Sequence, residues 1–513
     1  MKNSSINFLY DTVANFPEKS CIADEHQILT FHDFFSKAYY LSKALYDSSV
    51  INQPVLVFLP KTTHTIVSFA GILLSGNCYV PVDIRLPRKR LETIINNLDP
   101  YRIISLQSYK KQLEELPLQH KKVIYLDEIG DDKTISIDEM VTECRERTNR
   151  IIDSDPCYIM YTSGSTGVPK GVVISHRGVI DYIEWAVSCL NVNEKDIIGN
   201  QAPLYFDNST LDIFLSMATG SMLHLIPERT FMFPVELIEY LEKNKITFIF
   251  FVPSVLVNIS IMNLLSKDRL PLLNKIIFAG EVMPTKHLAY WQKHLPERLY
   301  VNLYGPTEIT VDCTYFIVDR IYLPDESLPI GYPCNNSGIL ILNEKNELAV
   351  TNEQGELCVR GSSLALGYWK DKEKSKQVFL QNPLNNKYFD RIYRTGDIVY
   401  KNDRGQIIFV GRKDTQIKHM GYRIELGEIE TAALALQEIN KCCVLYNENK
   451  KEITLFYEGK REIPAGEFRK LLGKVLPSYM IPRVFYFLDI LPLNQTGKID
   501  RKVLKKEYFE EKT

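Results

Sequence analysis

The stretch Tyr161-Thr-Ser-Gly-Ser-Thr-Gly-Val-Pro-Lys-Gly171 follows a strand-like apolar run, Cys157 to Met160. Three glycines permit tight turns and leave backbone N–H groups free to face an anion. The hydroxyls of Thr162, Ser163, Ser165 and Thr166 add neutral donors, and Lys170 adds a positive charge. Together they read as a cradle for a polyphosphate. It is not a Walker A loop, because Lys170 is followed by Gly171 where that motif needs Ser or Thr.

The chain on either side alternates strand-like and helix-like segments. Val55 to Leu59 reads as a buried strand, Thr63 to Leu74 as a helix, Tyr79 to Val82 as a strand and Arg88 to Asn97 as a basic helix. Ile103 to Ser105 and Val123 to Leu126 continue the pattern. It resumes with Met222 to Ile226, Pro234 to Lys243, Phe248 to Val252 and Lys275 to Ala279. Such alternation predicts largely parallel sheets covered by helices. After about Asp325 short strands separated by Gly, Asn and Asp predict a small β subdomain. From Asp414 helices and strands mix again, which predicts a smaller α+β C-terminal domain. The expected organisation is a large α/β domain over residues 1–413 and a second domain over 414–513.

With 513 residues, two or three compact units are expected, since domains run about 100–200 residues. The chain is 45% hydrophobic and 24% charged, which fits a globular protein. A formal net charge of −2 gives no general pull toward nucleic acid or anionic lipid. The ten cysteines show no metal-ligand spacing and read as reduced thiols. Residues 1–19 lack an apolar signal core, and the most apolar stretch, Ile246 to Ile261, is too short and broken to span a bilayer. A cytoplasmic protein is expected.

Further motifs stand in order along the chain. They are Tyr79-Val-Pro-Val-Asp83, Asn302-Leu-Tyr-Gly-Pro-Thr-Glu308, Gly355-Glu-Leu-Cys-Val-Arg-Gly361 and Tyr393-Arg-Thr-Gly-Asp397. Gly411-Arg-Lys-Asp-Thr-Gln-Ile-Lys418, Gly421-Tyr-Arg-Ile-Glu-Leu-Gly-Glu428 and Asn494-Gln-Thr-Gly-Lys-Ile-Asp500 follow. With the phosphate loop, this ordered set resembles the ANL superfamily of acyl-CoA synthetases, luciferase-like enzymes and peptide-synthetase adenylation domains. The resemblance covers nearly the whole chain. It implies a reaction in which a carboxylate attacks the α-phosphorus of ATP and pyrophosphate leaves. Charge grows on phosphoryl oxygens, so cations, N–H donors and Mg²⁺ matter more than a general base.

The resemblance also implies roles. Thr162, Ser163, Gly164, Ser165, Thr166, Gly167 and Lys170 are expected to hold the β- and γ-phosphates. Tyr304 is expected to stack on adenine, with Gly280, Glu281, Asn302 and Gly305 around the nucleotide. Glu308 is expected to bind Mg²⁺, Thr307 to lie near the α-phosphate, Asp397 to accept from the ribose hydroxyls, and Arg412 to sit beside them. Lys498 is expected to contact both the substrate carboxylate and the phosphate. Asp414 matches a hinge about which a mobile C-terminal domain rotates between two half-reactions. A non-catalytic relative would have lost Lys498, Glu308 or Asp397, and all three are present.

Phe206-Asp207 matches the place where amino-acid-activating members carry an Asp for the substrate ammonium. The competing reading is a helix N-cap. A carboxylate there disfavours the alternative of an acyl- or aryl-CoA ligase. The pocket is expected to include Asn208, Leu211, Phe250, Ile277, Ala279, Leu303, Val311 and Asp312. Asp312 reads either as facing the substrate or as facing outward. Phe278-Ala-Gly-Glu-Val-Met-Pro284 looks most like D-alanine–carrier protein ligases. Asn77, Cys78 and Leu366 depart from that pattern, so the chirality of the substrate stays open. Nothing after Lys498 resembles a phosphopantetheine site. The expected acceptor is therefore a separate acyl or peptidyl carrier protein, or coenzyme A, with no nucleic acid partner and no membrane span.

Overall fold

The computed structural model describes residues 2–118, 122–130, 135–164, 168–493 and 499–510. Its contacts group into two units. The first comprises residues 1–84, 98–160 and 171–413, and the second 85–97, 161–170 and 414–513.

In the first unit, valine- and isoleucine-rich segments bury both faces and pair in parallel, as strands covered on both sides do. A seven-stranded sheet has Pro54–Val57, Cys78–Pro81, Arg102–Ser105 and Lys122–Tyr125 among its members, with parallel pairing along them. A nine-stranded sheet has a parallel centre. It runs from Leu299–Tyr304 through Lys275–Phe278, Phe248–Phe251, Ile197–Asn200 and Met222–Leu225 to Ser20–Ala23. A third, antiparallel sheet is built from Ser337–Leu342, Gly355–Gly361, Phe379–Gln381, Arg391–Lys401 and Ile407–Arg412. It is the small β subdomain that the change of texture predicts.

The helix Asn208–Thr219 lies between the first two sheets, which is why its residues 209–217 are all buried. Thr210 faces Tyr79 and Tyr158 of the seven-stranded sheet. Asp212 accepts from Asn200 of the nine-stranded sheet at 2.8 Å. The two faces of one helix thus touch two different sheets, and the first turn of that helix is held from both sides. The strand Phe248–Phe251 ends at Pro253, which opens the helix Pro253–Ile261 as a first-turn proline does.

Ser175 caps the helix His176–Cys189 through Gly178 N–H at 3.2 Å. His176 is buried, and its Nδ1 accepts from the Ser5 N–H at 3.2 Å. Burial pulls its pKa down to about 3. The unfolded chain takes up this proton below about pH 6.5 and the folded chain does not, so stability falls on acidification. The expected contribution is up to about 1.4 kcal/mol per pH unit between about pH 6 and pH 4. Denaturant titrations at several pH values check it, with His176→Gln flattening that slope.

In the second unit, Gln416–His419 and Tyr422–Glu425 form a hairpin. Its turn places Met420 at φ 52° and Gly421 at φ 80°, left-handed values that glycine adopts without strain. The helix Leu426–Leu434 follows, then a three-stranded sheet of Ile439–Asn447, Glu452–Gly459 and Val484–Phe487 with the helices Ala465–Leu472 and Arg501–Tyr508. Ile424, Ile429, Val444, Leu455 and Phe468 share its core.

Candidate active site

Within the first unit, the strand Leu299–Tyr304 delivers Tyr304 to the antiparallel sheet. Asp397 and Arg412 are a directly opposed cross-strand pair there, with Arg412 Nη1 2.5 Å from Asp397 Oδ1. The Tyr304 hydroxyl donates to the other oxygen, Oδ2. Burial, and then the neighbouring Asp397 charge, push the Tyr304 phenol well above its ordinary pKa, so it keeps the proton it donates. Arg412 also donates to the Thr395 carbonyl at 3.2 Å, and the Asp397 N–H donates to Thr395 Oγ1 at 3.0 Å. Three of the residues that the motifs single out, separated by up to 108 positions, meet in one buried cluster.

Beyond Tyr304 the chain turns sharply. Thr307–Ile309 is a 3₁₀ turn, and Thr310 and Val311 follow at φ 57° and 68°. Two successive β-branched residues in the left-handed region cost about 1–3 kcal/mol each, and such strain gathers at functional sites. The turn sets Glu308, fully buried, with its Oε1 accepting from the Tyr368 hydroxyl at 2.8 Å. Gly305 is the hinge stone of this turn. A Cβ there would stand 2.2 Å from Val311 O and 2.5 Å from Asp312 Cα. Backbone cannot yield cheaply, so Gly305→Ala is expected to cost about 1–3 kcal/mol of stability. It should also lower nucleotide turnover at least about tenfold, since 1.4 kcal/mol of misplacement suffices for that. Denaturation and steady-state rates check the two effects.

Asn302 donates to the Pro329 carbonyl at 2.8 Å, so its amide braces the chain beside the strand. Gly280 has φ 93°, and Glu281 accepts from Ser254 N–H at 3.0 Å. Both follow the strand Lys275–Phe278.

The expected substrate pocket falls on neighbouring strands and one helix. Phe250 pairs with Ile277, and Ile277 with Val301, so Ala279 and Leu303 lie two residues further along the same sheet face. Leu211, Phe250, Ile277, Ala279, Leu303 and Val311 all belong to one apolar cluster. Asp207 occupies the N-cap position of Asn208–Thr219, yet its side chain makes no capping hydrogen bond. That disposes of the N-cap reading. Asp312 is buried and accepts from the Tyr182 hydroxyl at 2.7 Å, so it does not face outward. Burial, and then the neighbouring Asp312, hold the Tyr182 phenol well above its ordinary pKa. Tyr182 was not among the expected residues, nor was Tyr205, whose hydroxyl donates to Asp83 at 2.8 Å just before Asp207.

In the second unit, Thr162 has a buried hydroxyl with no hydrogen-bond partner, an orphan donor of the kind a phosphate would satisfy. Ser163 donates to the Arg423 carbonyl at 2.8 Å. Asp414 accepts from Gln416 N–H at 3.1 Å. Ser165, Thr166, Gly167 and Lys498 lie outside the described residues. Among the described residues no group of three His, Cys, Asp or Glu could hold a metal by itself. Glu308 is a single buried carboxylate, which suits Mg²⁺ carried largely by nucleotide phosphates.

The chain is similar to known proteins along nearly its whole length. The family model described as AMP-binding enzyme matches residues 9–369. Tyrocidine synthase 1 of Brevibacillus parabrevis is 31% identical over 98% of this chain and 45% of its own length. Zwittermicin A synthase ZmaJ of Bacillus cereus is 30% identical over 96% of this chain and 93% of its own. The chain spans less than half the length of the first curated relatives it matches. Among solved structures, the Vibrio cholerae adenylation domain AlmE, crystallised with glycyl-adenosine-5′-phosphate, superposes with a TM-score of 0.85 at 22% identity, covering 99% of this chain and 98% of AlmE. The o-succinylbenzoate CoA synthetase MenE of Bacillus subtilis superposes with a TM-score of 0.81 at 19% identity, covering 98% of each chain. The chain belongs to the AMP-binding enzyme family and is an adenylate-forming enzyme of the peptide-synthetase adenylation type. Among the described residues no helix is long and apolar enough to cross a membrane.

Proposed function

We propose that this enzyme activates an amino acid as its aminoacyl-AMP and then passes the aminoacyl group to the phosphopantetheine thiol of a carrier protein. The observation that carries the amino-acid reading is Asp207. It stands at the first turn of a helix clamped between two sheets, does not cap that helix, and borders an apolar cluster. A carboxylate in such a place is stabilised by a cation, and the substrate ammonium supplies one. The adenylation domain AlmE, crystallised with glycyl-adenosine-5′-phosphate, supports the same reading.

In the first half-reaction a substrate carboxylate oxygen bonds to the α-phosphorus, the bond to the bridging oxygen breaks, and pyrophosphate leaves. Thr162 to Lys170 bind the terminal phosphates, and Tyr304, Gly280 and Glu281 bind the adenine. Asp397 has four acceptor sites; Arg412 and Tyr304 use two, and the ribose hydroxyls take the others. Glu308 would hold Mg²⁺, and the ion would supply positive charge against the phosphoryl oxygens. Lys498 neutralises the reacting carboxylate and phosphate. We further propose that residues 414–513 form a lid that turns about Asp414 before the thiol attacks the acyl carbon and AMP departs. The test is to incubate the enzyme and ATP with labelled amino acids, or with labelled acids lacking an amine, in the presence of a phosphopantetheinylated carrier or of coenzyme A. The expected product is an acid-stable, hydroxylamine-labile aminoacyl carrier. Label on coenzyme A alone, from an acid without an amine, would overturn the proposal.

A further inference from the structure

Asp207 rides on a segment whose two ends are tied together. Asn200 closes the strand Ile197–Asn200, and its side-chain amide donates to Asp212 of the helix Asn208–Thr219 at 2.8 Å. Asp207 lies in the chain between them. Lys61, just past the strand Pro54–Val57 of the other parallel sheet, grips the first of these ends. Its ammonium donates to the carbonyls of Asn200 and Gln201 at 3.1 and 3.0 Å. The side-chain carbonyl of Gln201 in turn accepts from Val252 N–H at 3.0 Å. All of these residues lie in the first unit.

The base of this segment is rich in acceptors. Asn200 and Asp212 are fully buried, and one oxygen of each, Asn200 Oδ1 and Asp212 Oδ1, has no hydrogen-bond partner. A buried carboxylate with an unpartnered oxygen is stabilised by a cation close by. Lys61 supplies it through Asn200, whose backbone holds the ammonium while its side chain holds the carboxylate. Desolvation pulls the Lys61 ammonium down to about 7, opposed by Glu228 and then Asp212. Burial pushes the Asp212 carboxyl up to about 8, opposed by the Asn200 hydrogen bond and then Lys61. We propose that Lys61 is a positioning residue for amino-acid binding, whose charge locks the base of segment 200–212 and so fixes where Asp207 meets the substrate ammonium. The inference rests on the amino-acid reading above. Without the ammonium, two carbonyls and a buried carboxylate face one another uncompensated, and the segment shifts to relieve them. Tyr304, Asp397 and Arg412 stand on other strands and keep their places.

Lys61→Met keeps the length of the side chain and removes its charge. It should raise KM for the amino acid about tenfold and leave KM for ATP within about twofold, since small misplacements of a binding group act on the substrate it binds. Adding Asp212→Asn removes the stranded charge and keeps an oxygen, so the double variant should regain most of the amino-acid affinity. The experiment is amino-acid-dependent pyrophosphate exchange by the full chain and both variants, with the two KM values and a thermal midpoint for each. A rise in the amino-acid KM alone, reversed in the double variant, is the expected result. A Lys61→Met protein that loses only thermal stability, or in which both KM values rise alike, has lost a structural lysine and overturns the inference. Absence of recovery in the double variant overturns it as well. No amino-acid-dependent exchange by the parent would overturn it together with the amino-acid reading. If Lys61→Met does not fold, Asn200→Ala, which opens the tie to Asp212 and spares both carbonyls, must raise the amino-acid KM, and an unchanged KM overturns the inference.

Discussion

Asp207→Ala is expected to reduce amino-acid-dependent turnover more than a hundredfold while leaving ATP affinity unchanged. Removing one partner of a largely desolvated ion pair costs about 3–5 kcal/mol, because the other charge stays behind unpaired. The lower end of that range already exceeds a hundredfold. Asp207→Asn keeps the volume and loses the charge, so it should fall nearly as far. Stability gives a second readout. An N-cap Asp replaced by Ala costs about 1 kcal/mol. Because the Asp207 side chain makes no capping bond, the thermal midpoint should move little. A variant that loses stability and keeps its kcat/KM for the amino acid would assign Asp207 to the helix instead of the substrate.

Asp397→Ala should have the second largest effect, and on the other substrate. The carboxylate accepts from Tyr304 and pairs with Arg412, and it is itself buried. Truncation leaves a mostly buried guanidinium without its anion, a loss of about 3–5 kcal/mol in stability. It also removes the acceptor proposed for the ribose, so KM for ATP should rise at least about thirtyfold, the equivalent of about 2 kcal/mol. Asp397→Asn retains an acceptor for the Tyr304 hydroxyl and should recover part of the stability but little of the ATP affinity. A double variant with Arg412→Met should be less damaged in stability than the two single losses added together, since both remove one interaction. Equilibrium denaturation of the four proteins measures that coupling.

The sequence was most legible where local chemistry dictates local structure. Buried strands such as residues 55–57 and 248–251 announce themselves as short runs of Val, Ile and Phe, and Pro253 marks the turn from strand to helix. The loop proposed to hold the phosphates was singled out by its glycine spacing and hydroxyls. The side chains that complete the site were not legible. Tyr182 and Tyr368 look like ordinary core aromatics on their own elements. Their roles arise only when Tyr182 meets Asp312 across 130 positions and Tyr368 meets Glu308 across 60. Arg90 and Glu428 are 338 positions apart, and neither local pattern hints at the other. Asp312 could be read either way until its phenol partner was seen. Long-range polar pairing is a property of the packed chain, and periodicity carries no record of it.

The most direct measurement is exchange of labelled pyrophosphate into ATP, run with each L-amino acid, D-alanine and common diamino acids, with Lys498→Ala as control. Exchange dependent on one amino acid, and much reduced in the control, is the result expected of an amino-acid adenylating enzyme. Exchange driven by acetate or longer acids, with silence for every amino acid, would contradict it.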